Sequence, residues 1–201
     1  MSGGALTAIA PPFDEDGSVI LEKVRGLAAY LVDDGSDGVV VAGTTGESPT
    51  LSDDEKLELF AAALDAVGDR ATVVAGTGTY DTRHSVRMTQ RAHELGVDGM
   101  LVVTPYYSKP PQRAIVRHFQ EIAAQTDKPV VVYNIPSRVV INIEPETIEE
   151  LAQIEHATAV KQANDDAEQA RRLRRVRRDR HPRDTKPTAP CPAPRRAGAE
   201  R

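Results

Sequence analysis

Gly38-Val39-Val40-Val41-Ala42-Gly43-Thr44-Thr45-Gly46-Glu47 is an apolar run of strand length that stops abruptly at two threonines set between glycines. A strand with one wet face alternates polar and apolar residues. This one does not alternate, and reads as a strand covered on both faces. The pattern recurs roughly every thirty residues along the chain. Val73-Val74-Ala75 leads into Gly76-Thr77-Gly78-Thr79, and Met100-Leu101-Val102-Val103 leads to Tyr106 and Tyr107. Pro129-Val130-Val131-Val132 closes on Tyr133 and Asn134, and Ala157-Thr158-Ala159-Val160 closes on Lys161. A first candidate strand, Ala5–Ala10, precedes them.

Between these runs the apolar period changes to that of a helix. Ile20, Val24, Leu27, Ala28 and Leu31 share a helical face that ends at Asp34-Gly35. Ser52 with Glu55 three residues on forms a capping box, and Leu57, Phe60, Ala61 and Leu64 are the expected buried face behind it. Further helices are expected over 81–95, 112–125 and 145–153, with another starting at Asp165. Buried strands alternating with amphipathic helices predict an α/β fold with a parallel sheet. The strand ends then lie on one face, as in a (β/α)8 TIM barrel, where such enzymes carry their chemistry. Six βα units are legible over residues 1–171, where a closed barrel has eight.

Length and composition fit one domain of a soluble protein. No apolar run approaches a membrane span, and the first residues lack the basic and apolar regions of a secretory leader. The single cysteine, Cys191, offers neither an internal disulfide nor a thiolate metal site. A cytoplasmic enzyme is the expectation. Charge is divided along the chain: residues 1–170 hold 13 Lys+Arg against 27 Asp+Glu, and residues 171–201 hold 12 against 3. The Arg, Pro and Ala-rich stretch 172–201 has too little apolar area to offset ordering entropy and is expected to be a disordered basic tail. It has no aromatic interleaving, so nucleic acid is not expected as a partner. Its composition is what an out-of-frame reading of a GC-rich gene tends to produce, so a frame change near residue 171, or equivalently a wrong gene model, is the expectation.

Lys161 ends an apolar strand where a barrel mouth would be. A lysine is ordinarily solvated at a surface. Burial there would disfavour the ammonium form and leave the amine able to attack a ketone. Tyr133, on the adjacent strand, is either a core tyrosine with a backbone partner or a proton shuttle. Thr44 and Thr45 form either a self-satisfied turn or a set of N–H and hydroxyl donors for a carboxylate. The loop is no P-loop, because no Lys-Ser/Thr pair follows it. Arg138 is a surface charge or a planar fork for a carboxylate. His84, His93, His118, His156 and His181 lack ligand spacing and read as surface groups, so no metal site is expected. Two threonines, tyrosines and a lysine at one place suit Schiff-base chemistry on a keto acid.

Taken together, Gly43-Thr44-Thr45-Gly46-Glu47, Val103-Thr104-Pro105-Tyr106-Tyr107, Tyr133-Asn134-Ile135-Pro136-Ser137-Arg138 and Val160-Lys161 resemble the dihydrodipicolinate synthase family over residues 1 to about 171. The resemblance implies a lyase that condenses pyruvate with aspartate-semialdehyde on the route to diaminopimelate and lysine. It implies Lys161 as the Schiff-base amine and Tyr133, Thr45 and Tyr107 as a proton relay, with Tyr107 coming from a neighbouring subunit. Thr44 and Thr45 would hold the pyruvate carboxylate and Arg138 that of aspartate-semialdehyde. No metal or organic cofactor is implied, and the implied assembly is a homotetramer of tight dimers. N-acetylneuraminate lyase and the keto-deoxy-sugar-acid aldolases share the lysine and tyrosine but resemble the chain less at Thr44-Thr45. The former lacks an arginine at the place of Arg138. Gln162 departs from the acidic residue common after the lysine. The family's seventh and eighth strands and its C-terminal helical extension have no counterpart, so an inactive barrel fragment is the competing expectation.

Overall fold

The computed structural model describes residues 4–180, with side chains through Leu173. His181, Cys191 and the remaining stretch of the basic tail lie outside the described residues. Met1–Asp166 is one compact unit and Ala167–Arg201 a second.

The first unit is a six-stranded sheet, every pair parallel, in the order of the chain. Its strands are β1 (Leu6–Ala8), β2 (Gly38–Val41), β3 (Thr72–Gly76), β4 (Gly99–Val103), β5 (Val130–Asn134) and β6 (Ala157–Gln162). The helices between them are α1 (Leu21–Asp33), α2 (Asp53–Val67), α3 (Thr82–Leu95), α4 (Gln112–Ala123), the single turn α5 (Pro136–Val139) and α6 (Pro145–Leu151). This is the succession of consecutive strands in a (β/α)8 barrel, and β1 and β6 each pair on one side only.

Successive side chains in a strand point to opposite faces. One face therefore carries Val40, Val74, Leu101 and Tyr133, which cluster with Ile135 and Val139 from the turn after β5. The other carries buried Val39, Val41, Val73, Ala75, Met100, Val102, Val130 and Val132. Phe60 of α2 and Phe119 of α4 are fully buried. Truncating a phenylalanine so placed costs about 3–5 kcal/mol, enough to threaten a domain of ordinary stability. Gly76 has no alternative at its position, because a Cβ there would collide with the carbonyl of Ala42. Among the described residues no helix is long and apolar enough to cross a membrane.

Three expectations need correction. The buried face of α2 is Lys56, Leu59, Phe60, Ala62, Ala63 and Val67, whereas Ala61 is exposed and Leu57 and Leu64 are half-buried. The middle of this helix is apolar almost all round, so helical period alone does not choose the phase. His118 is not a surface group: it is 2% exposed on α4. Its ring stacks edge-to-face on Phe119, and Nδ1 lies 2.9 Å from the Thr82 hydroxyl. Lys161 is exposed, and among the described residues β6 has no further strand beside it.

The second unit begins with α7 (Ala167–Arg180). This helix continues past residue 171, where the βα pattern ends, because arginine, alanine, glutamate, glutamine and leucine are all good helix formers whatever they pack on.

Candidate active site

Every strand of the sheet delivers its C-terminal end to the same side, and the turns there carry the reactive residues. The turn after β2 is tight: Gly46 N–H donates to the Gly43 carbonyl at 3.0 Å, and Ser48 N–H to the same carbonyl at 3.3 Å. It opens and closes on left-handed backbone, at Ala42 (φ 51°) and Glu47 (φ 51°). Non-glycine residues seldom adopt that region, and such strain gathers at functional loops. The backbone therefore makes the turn without the threonine side chains. Neither Thr44 nor Thr45 has a hydroxyl hydrogen bond among the described residues. Thr77 and Thr79 differ: Thr89 donates to the Thr77 hydroxyl at 2.9 Å, and the Thr79 hydroxyl lies 3.1 Å from that of Ser85. Those two threonines tie the end of β3 to α3.

Tyr133 and Lys161 are direct register partners on β5 and β6. Tyr133 is 5% exposed, and Lys161 Nζ stands over its ring, 4.3 Å from the centroid. A cation there is attracted by the ring's negative face. The Tyr133 hydroxyl has no hydrogen-bond partner among the described residues, unlike the ordinary core tyrosine. Two residue-pairs further back, Val131 and Ala159 occupy the same face of these strands.

A cavity of about 330 Å³ lies at these strand ends, lined by Thr44, Lys56, Tyr106, Tyr133 and Arg138 among others. Its lining includes no aspartate or glutamate, but it does include two cations. Arg138, presented by the single turn α5, makes no ion pair among the described residues. Lys56 is 5% exposed, and burial pulls its ammonium below the ordinary lysine range, against the opposing pull of Asp53 and Glu55. A cavity of this kind favours an anion. Tyr106 is half-buried against Tyr80, with ring centroids 5.5 Å apart, and burial raises its phenol above the ordinary range. Lys56 and Tyr106 were not among the expected site residues. Lys56 becomes legible once the phase of α2 is known, since it shares the face of Leu59, Phe60 and Ala63. A larger groove, about 440 Å³, lies beside the C-terminal ends of α4 and α6. That is the face where the strands begin, away from all these residues.

The structure thus brings Thr44, Tyr133 and Arg138 to one cavity and sets Lys161 beside Tyr133. The lining does not include Lys161 or Thr45, both exposed, or Tyr107. Tyr107 is 91% exposed and held in left-handed backbone at φ 70°.

The family model described as the Dihydrodipicolinate synthetase family matches residues 1–182. The chain belongs to the dihydrodipicolinate synthetase family. Among its curated relatives, the 4-hydroxy-tetrahydrodipicolinate synthase of Acidothermus cellulolyticus is 56% identical over 166 residues, 83% of this chain and 54% of that protein. The one from Mycobacterium leprae is 54% identical over 164 residues, 82% of this chain and 55% of that protein. Solved structures agree. Dihydrodipicolinate synthase from Cyanidioschyzon merolae superposes with a TM-score of 0.84 at 43% identity, covering 87% of this chain and 60% of its own. The Acinetobacter baumannii synthase complexed with pyruvate superposes with the same TM-score of 0.84 at 31% identity and the same coverage. The family member described here spans a little over half the length of the curated relatives it matches.

Proposed function

We propose that this site is the keto-acid half of a Schiff-base lyase of the 4-hydroxy-tetrahydrodipicolinate synthase type. The observation that carries the reading is Lys161 Nζ standing 4.3 Å above the ring of Tyr133, whose hydroxyl is uncommitted beside an anion-favouring cavity. Pyruvate is the proposed first substrate. The neutral amine adds to its carbonyl carbon to form a carbinolamine, and the carbinolamine oxygen leaves as water on receiving a proton through Tyr133. The resulting iminium draws electrons from the neighbouring methyl group, which loses a proton to give an enamine. The enamine carbon then attacks the aldehyde of aspartate-semialdehyde, and the Arg138 fork holds that substrate's carboxylate. Thr44, with its free hydroxyl, receives the pyruvate carboxylate. Thr45 and Tyr107 complete the proton relay, with the exposed Tyr107 supplied to the site of a neighbouring copy in a homotetramer.

A second reading, a folded chain without catalysis, draws on the exposure of Lys161, which lies outside the lining of the cavity. Borohydride reduction in the presence of pyruvate separates the two. The lyase reading expects a single reduced pyruvyl adduct, mapped to Lys161 by peptide mass spectrometry and absent in Lys161→Ala. An adduct that persists in Lys161→Ala, or none in the wild-type chain, overturns it.

A further inference from the structure

Behind Tyr133 and Lys161, on the opposite face of the same two strands, lies a chain of side-chain amides. Asn134 is fully buried and sits directly opposite Gln162 in the β5–β6 register. Its Nδ2 donates to Gln162 Oε1 at 3.2 Å and to Asn142 Oδ1 at 2.8 Å. Its Oδ1 accepts from the Ile143 N–H at 3.1 Å, and its carbonyl accepts from the Ala163 N–H at 2.8 Å. The buried side-chain amide therefore ties the end of β5 to β6 and to the segment before α6, while the main-chain carbonyl of the same residue holds the residue after β6.

The tie matters because, among the described residues, the register of β6 is held from the β5 side only. The β5–β6 ladder shifts between Val130 and Val131, so the single pair before the shift does not set the four that follow, of which Asn134 and Gln162 are the last. Among the described residues β6 has no strand on its other side, and Lys161 is exposed on it. A slip of one residue turns every side chain of a strand to the other face, which would take Lys161 off the Tyr133 ring entirely. A buried amide with all its hydrogen bonds made resists such a slip, since breaking them strands polar groups away from water.

We infer that Asn134 and Gln162 are positioning residues that hold the Lys161 amine over Tyr133. As a statement about the reaction this rests on the Schiff-base reading of the site; as a statement about geometry it does not. The consequence for the chemistry is large, because a displacement of about an ångström at a reacting group costs about a hundredfold in rate.

The test uses the full 201-residue chain, labelled with ¹³C-lysine, and the ring-current shift that the Tyr133 ring imposes on the Lys161 ε-methylene protons. Lys161→Arg assigns the resonance. The expected result is an upfield signal in the wild type that collapses toward the other lysines in Asn134→Ala and in Gln162→Ala. The double variant should show no more than Asn134→Ala alone, because the hydrogen bond to Gln162 is already lost there. Asn134→Asp should keep the shift, since the Gln162 amide can turn and donate to the carboxylate. Val160→Ala, on the same face of β6 but outside the amide chain, should also keep it. A shift that survives in Gln162→Ala, or one lost equally in Val160→Ala, overturns the inference; Gln162→Ala decides the matter even where Asn134→Ala does not fold. Pyruvate trapping on the same samples separates the two readings. If the wild type forms no adduct while the shifts behave as expected, the lyase reading fails and the positioning role stands. If it forms one, Asn134→Ala and Gln162→Ala should trap at least about tenfold more slowly, and trapping at the wild-type rate overturns the role.

Discussion

Tyr133 and Lys161 show how far a residue's surroundings decide what it can do. A tyrosine buried to 5% exposure normally has its hydroxyl satisfied, and this one does not. Replacing that hydroxyl tests whether it moves protons. Tyr133→Phe keeps the ring under the Lys161 amine, so pyruvate trapping should still occur. Turnover with aspartate-semialdehyde should fall about a hundredfold or more, the usual contribution of a positioned acid–base group. An unchanged turnover rate would remove Tyr133 from the relay. Lys161, Tyr133, Thr44 and Arg138 were all legible as candidates, because each ends or follows an apolar strand and a parallel fold gathers such ends. Lys56 was not, because nothing in its neighbourhood says which side of α2 faces inward.

Among the helices, α4 carries the clearest consequence of burial. His118 packs on Phe119 with Nδ1 beside the Thr82 hydroxyl, and burial takes its imidazole from 6.5 down to about 4, outweighing the pull of Asp81. The folded form therefore resists protonation while the unfolded chain accepts it at the ordinary value. Between pH 6.5 and about 4 the unfolded state binds more protons, so stability is full above 6.5 and falls as pH drops toward 4. The loss from this group alone is about 3 kcal/mol across that window. Urea unfolding of the wild type and of His118→Gln over the same range measures it: the stability difference between them should shift by that amount on acidification. A constant difference would contradict the assignment. An isolated histidine on a helix gives no warning of this, since its burial depends on α3 lying against α4. The capping box at Ser52 is the opposite case, a local signal that holds because Glu55 N–H donates to Ser52 Oγ at 3.2 Å and Ser52 N–H donates to Glu55 at 2.7 Å.

At the scale of the molecule, the edge of the sheet at β6 is a place where a further strand could add. β6 presents Val160 and Lys161 to solvent with no strand alongside among the described residues, and an unpaired edge is a template for further chains. Val160→Lys adds a charge to that edge, and sedimentation velocity should show weaker self-association than in the wild type; equal association would place the contact elsewhere. The parallel sheet, the order of its six strands and the gathering of reactive residues at one face were all determined by the chain itself. Those features rest on local causes: unbroken apolar runs of strand length, helical period between them, and turns at their ends. The tertiary structure alone decided which face of α2 is buried, that His118 is buried, that Lys161 is exposed, and that Asn134 and Gln162 meet behind the site. Each of those depends on contacts between residues distant in the chain, such as the 28 positions from Asn134 to Gln162, and no local pattern encodes which distant surface a side chain will meet.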